Sequence, residues 1–93
     1  MTVGILHLSI FIHDSHSLKE KRMILHSLKA RLHNNFNVAI AQIDGEDKWQ
    51  RTNLAVVGVE KDKKIMNSVL SRIINFLEQV NSINLINYEM ELI

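Results

Sequence analysis

Three separated segments hold the side chains that could do chemistry. His13-Asp14-Ser15-His16-Ser17 offers imidazoles, a carboxylate and hydroxyls, Lys19, Lys21 and Arg22 follow almost at once, and Asp44, Glu46 and Asp47 precede Trp49-Gln50-Arg51. The cations stand in the first turns of an expected helix, where the positive end of the helix dipole disfavours them by about a few tenths of a kcal/mol each. A bound phosphate would reverse that sign, because free N–H groups, the Ser15 and Ser17 hydroxyls and three cations would face one anion. Ser17, Lys19, Lys21, Arg22, Trp49 and Arg51 are therefore the candidate anion or nucleic-acid contacts, with His13, His16 and Gln50 as accessories. A competing reading has Asp44, Glu46 and Asp47 neutralise the same cations in a solvated ion network, with the Lys21 stem covering apolar surface and its tip in water.

Two other chemistries are weaker. His13, Asp14 and His16 supply metal-ligand types close together, but their spacing fits no standard zinc signature, so no metal ligands are assigned. His26 and His33, seven apart on the helix, more simply flank the core or touch solvent. Ser15 or Ser17 with His13 or His16 and Asp14 could be drawn as a hydrolytic triad. Ser17 already has a sufficient task as a helix cap, and so small a domain offers little pocket, so no catalytic residues are assigned and an enzyme, metal-dependent or hydrolytic, is the third-ranked reading.

The elements that must position these residues follow from periodicity. Val3–His13 places Leu6, Leu8, Ile10 and Ile12 at every second position, a strand pattern. Ser17-Leu18-Lys19-Glu20 is a capping box, and Leu18, Ile24, Leu25, Leu28 and Leu32 then form a helical stripe expected to stop near His33, with Asn34-Asn35 in the left-handed conformation. Phe36–Ile43 and Trp49–Val59 read as a hairpin, Asp62 as the cap of a helix carrying Met66, Val69, Leu70, Ile73, Leu77 and Val80, and Leu85–Leu92 as a last strand alternating Ile86, Tyr88, Met90 and Leu92 with polar residues. The order βαββαβ predicts an α+β, ferredoxin-like domain over residues 1–93, a four-stranded antiparallel sheet with both helices on one face. Right-handed crossover then gathers the end of the first strand, the start of the first helix and the hairpin turn at one end.

Composition bounds what this fold can do. The 93-residue, 10.8 kDa chain has room for one core, and 46% hydrophobic with 23% charged residues suits a packed domain rather than a disordered one. The absence of cysteine excludes disulfides, thiolate metal sites and thiol nucleophiles, and three glycines leave no Gly-rich phosphate loop, so no cofactor is expected. The net charge of +1 conceals polarity: residues 17–33 carry five basic residues against Glu20 alone, and the rest of the chain carries six basic and nine acidic ones. No secretory leader or apolar run of membrane-spanning length is present, so a cytoplasmic location without membrane contact is expected.

The sheet face away from the helices is the second candidate surface, since Ile5, Phe11, Trp49, Ala55 and Val57 should face outward on it. The third strand, Gln50 to Val57, lacks the aromatic signature of RNA-recognition domains, and only Phe11 and Trp49 remain as stacking platforms. A homodimer through this face or through an edge strand competes with nucleic-acid binding.

His16-Ser17-Leu18-Lys19-Glu20-Lys21-Arg22, Phe36-Asn37-Val38-Ala39-Ile40-Ala41 and Asp47-Lys48-Trp49-Gln50-Arg51 together resemble the YlxP-like family of small bacterial proteins, in matching order and spacing over essentially the whole chain. The resemblance implies a ferredoxin-like fold and an unassigned activity. It implies no catalytic residues, and because the family's genes often lie among those for translation and ribosome maturation, it implies a role near RNA. Gly45 in the turn and an Asn-rich second half are its mild departures from the family. The combined expectation is a non-enzymatic binding protein that meets RNA or a ribonucleoprotein through its basic helix start; the alternative is a dimeric structural or protein-interaction module built on the open sheet.

Overall fold

The structure, a computed structural model, describes residues 1–13, 16–44 and 50–93, with the side chain of Asp44 outside that description. Its elements run β1 (Thr2–Ile12), α1 (Leu18–Asn35), β2 (Ala39–Asp44), β3 (Arg51–Glu60), α2 (Lys63–Glu78) and β4 (Ile83–Leu92). The strands form one antiparallel sheet in the order β2-β3-β1-β4, the ferredoxin-like α+β arrangement the element order predicts.

Alternation in β1 sends Leu6, Leu8, Ile10 and Ile12 into the core, where they meet Leu54 and Val56 of β3, Leu25, Leu28 and Leu32 of α1 and the Met66, Leu70, Ile73 and Leu77 stripe of α2. A one-residue slip would turn every one of these side chains to solvent, so burial on one face fixes the register. Asp62 caps α2 as its position predicts, its Oδ1 accepting from Ile65 N–H at 2.9 Å. No helix among the described residues is long and apolar enough to cross a membrane.

Three element ends differ most from expectation. Strand β2 begins at Ala39 and not at Phe36, because Phe36 is taken up as the cap residue of α1. Helix α1 does not stop at His33 with a left-handed Asn pair; it continues to Asn35, and the cap residue Phe36 is extended at φ −139°. The Asn35 side-chain amide donates to the Arg31 carbonyl at 2.7 Å and the Phe36 N–H to the Leu32 carbonyl at 2.8 Å, so the last turn closes without a left-handed residue. Strand β4 starts earlier, at Ile83, and its alternation breaks: Ser9 pairs with Asn87 but Ile10 pairs with Leu85, leaving Ile86 as the extra residue of a bulge. Leu85 and Ile83 are therefore the residues packed on the core beyond the bulge, while Ile86 and Tyr88 are each 47% exposed.

Candidate functional site

The predicted convergence at one end of the sheet exists among the described residues. Phe11 of β1 pairs with Arg51 of β3, Ile12 N–H donates to the Gln50 carbonyl at 2.7 Å and His13 N–H to the Ser82 carbonyl at 3.1 Å. The start of α1 is joined to this corner by Lys21, whose Nζ donates to the Arg51 carbonyl at 3.1 Å. Ser17 caps the helix as its type dictates, Oγ accepting from Glu20 N–H at 3.1 Å, while the Glu20 carboxylate reaches one residue further back and accepts from His16 N–H at 3.2 Å.

The cations at this corner divide into two kinds. Lys19, Arg22 and Arg51 are exposed, as are His13 and His16, and Gln50 is half-buried. Lys21 is 2% exposed, so the expectation that its tip reaches water is corrected. Leu18, Lys21, Leu25, Leu28 and Leu32 follow one another at steps of three and four, so Lys21 stands in the buried stripe of α1, and its long stem spans to the β3 backbone. A small cavity of about 120 Å³ beside it is lined by Leu18, Arg22, Leu25 and Gln42 as well.

Trp49, together with Asp14, Ser15, Glu46, Asp47 and the Asp44 side chain, lies outside the described residues, and so do the ion network and the triad drawn through them. Among the described residues no group of three or more His, Asp or Glu side chains is placed to hold a metal ion. The exposed surface of α1 is richer than its first turns: Lys19, Arg22, His26 and His33 are all exposed and recur near one face, with Lys29 partly exposed between them. Arg31 leaves this surface and sits 5.2 Å from the ring centre of Phe76, which in turn meets Phe36 edge-on at 6.0 Å.

The open sheet face carries Ile5, Phe11, Ala55 and Val57 half-buried, as expected. Its middle was missed by sequence reasoning. Register places Asn53, Ser9 and Asn87 side by side across β3, β1 and β4, with Ala55, His7 and Glu89 in the next row towards one end and Arg51, Phe11 and Asn84 towards the other. A basin of about 280 Å³ opens there, lined by His7, Ser9, Ile43, Asn53, Asn87 and Glu89 among others. His7 Nε2 lies 3.8 Å from Glu91 Oε1 in an exposed pair, which adds little stability. Asn87 Oδ1 accepts from the Tyr88 N–H at 2.9 Å, and this bond fixes the amide at the rim of the basin. The only sequence-level trace of this row is the presence of asparagines inside strands, where they are disfavoured.

The family model described as "Protein of unknown function (DUF503)" matches residues 3–90. A protein of Bacillus subtilis (strain 168), described as "Uncharacterized protein YlxP", is 34% identical over 76 residues, which cover 82% of this chain and 83% of that relative.

Proposed function

The chain belongs to the family described as "Protein of unknown function (DUF503)", and from that premise we propose that it is a non-enzymatic binding protein that holds RNA or a ribonucleoprotein by its phosphates. The observation that carries this reading is the exposure of Lys19 and Arg22 on α1 and of Arg51 on the open sheet face at the same end of the domain, continued along α1 by His26, Lys29 and His33. Glu20, the one acidic residue in that helix, is engaged with the backbone ahead of it. Cations placed in this way hold a polyanion without reading its sequence, and they do so in proportion to the phosphates they neutralise. Lys21 takes no part in the contact because it is buried.

Titration of labelled structured RNA at several salt concentrations tests the surface. Against wild type, a Lys19→Ala/Arg22→Ala/Arg51→Ala variant is expected to flatten the plot of log affinity against log salt by about two to three units and to weaken binding alike for all sequences. An unchanged slope removes this corner as the phosphate contact.

One observation favours a second reading, in which a second copy covers the open sheet. Val59 and Ile93, 53% and 69% exposed, flank Val3 in the row at the far end of that face. The β4 edge is poorly suited to such pairing, since the bulge at Ile86 and the Asn87 amide on the Tyr88 N–H interrupt its template. Dimerisation through the face predicts a doubled mass by light scattering at tens of micromolar that Val59→Lys abolishes; a monomeric mass for wild type ends this reading.

A further inference from the structure

We infer that the polar basin on the open sheet face reads one unstacked base of a single-stranded RNA, selecting a base that carries an exocyclic amine; this rests on the RNA reading above. The chemistry of the row points to a base rather than to an apolar partner. Asn53, Ser9 and Asn87 place amide and hydroxyl groups, donors and acceptors together, across three neighbouring strands. Glu89, in the next row, only accepts when ionised, so it complements an amine such as cytosine N4 and opposes a carbonyl at the same place.

The route of the backbone follows from the charges. Glu89 and Glu91 repel phosphates on the β4 side of the face, whereas Arg51 stands in the adjoining row beside Phe11. Lys21 ties the Arg51 backbone to the start of α1, so Lys19 and Arg22 on the helix layer and Arg51 on the open sheet face stand at the same end of the domain. A strand held at that end can turn one base past Phe11, an aromatic neighbour that favours unstacked bases, into the basin. A duplex hides the edges that the basin addresses, so the ligand is single-stranded.

The test compares short labelled oligocytidylate, oligouridylate, an RNA duplex and inorganic polyphosphate by fluorescence anisotropy or competition. Wild type is expected to bind oligocytidylate about tenfold more tightly than oligouridylate. Glu89→Gln, at an exposed position that folding tolerates, should erase most of that preference and, because it removes a charge that repels phosphate, should not weaken the binding of oligouridylate. Asn53→Ala should do the same, and its melting temperature shows whether a loss is local. Equal affinity of wild type for the two oligonucleotides and the duplex, with a normal salt slope, overturns the basin and leaves the phosphate corner standing. Failure of wild type to bind even polyphosphate overturns both. A preference that survives Glu89→Gln overturns the assignment of Glu89 and with it the base-reading basin.

Discussion

Lys21→Ala is expected to lower the unfolding free energy by about 3 kcal/mol, with a fall in midpoint temperature of about 15 °C for a domain of this size. The substitution removes the donor that the Arg51 carbonyl receives at 3.1 Å, and it deletes a stem packed in the same stripe as Leu25, Leu28 and Leu32. The part-buried Arg51 carbonyl left without this donor costs about 1 kcal/mol, and the lost packing of the buried stem supplies the larger share. Lys21→Met separates the two contributions, since it keeps the stem and loses only the ammonium, and it should recover the larger share of the loss. Urea unfolding followed by circular dichroism reads both variants. A cost below about 0.5 kcal/mol for Lys21→Ala, the level of an ordinary surface change, contradicts the buried role.

That result also decides how the phosphate corner must be tested. A variant that removes Lys21 together with Lys19 and Arg22 would lose binding through unfolding as readily as through lost charge. Lys19, Arg22 and Arg51 can be changed without that ambiguity, because all three side chains are exposed. The neighbourhood of the buried lysine and the exposed pair gives α1 two faces of different use: one fastens the helix to β3, and the other presents charge to solvent.

Legibility in the sequence followed the strength of the local pattern. Strand β1 was readable because one face is wholly buried, and a period of two admits only one assignment for Leu6, Leu8, Ile10 and Ile12. Both helix starts were readable because Ser17 and Asp62 act through bonds to residues three further on. The burial of Lys21 was also written in its spacing from Leu18 and Leu25, but its charge outweighed its position in the reading. The bulge in β4 was not readable, since an extra residue is visible only against the partner strand, and Ile86 looks like any other apolar member of an alternating run. The polar row had the same difficulty in a stronger form: Ser9, Asn53 and Asn87 are distant in the chain and become neighbours only once two registers and the bulge are known.

The packing of α2 onto the sheet carries the other large expected effect. Gly4 of β1 and Gly58 of β3 are register partners, and both lie on the core side, where Met66 of α2 descends between them. A Cβ on Gly4 would fall 2.5 Å from Met66 Cγ and 3.0 Å from Leu70 Cδ1, and one on Gly58 would fall 3.0 Å from Met66 Cε and 3.2 Å from Val38 Cγ1. The glycine pair is thus a slot that lets a fully buried methionine reach the sheet. The Cγ atom is near the root of that side chain, so swinging its tip aside does not relieve the clash, and Gly4→Ala is expected to cost about 3 kcal/mol by overpacking. Met66→Ala should cost a similar amount for the opposite reason, a cavity of methionine size. The combination separates this account from a generic intolerance of β1: with Met66 shortened, the new methyl at position 4 enters vacated space, so the double variant should be less destabilised than the sum of the singles by about 1 kcal/mol or more. Strict additivity in equilibrium unfolding would mean that Gly4 is required for some reason other than the approach of Met66.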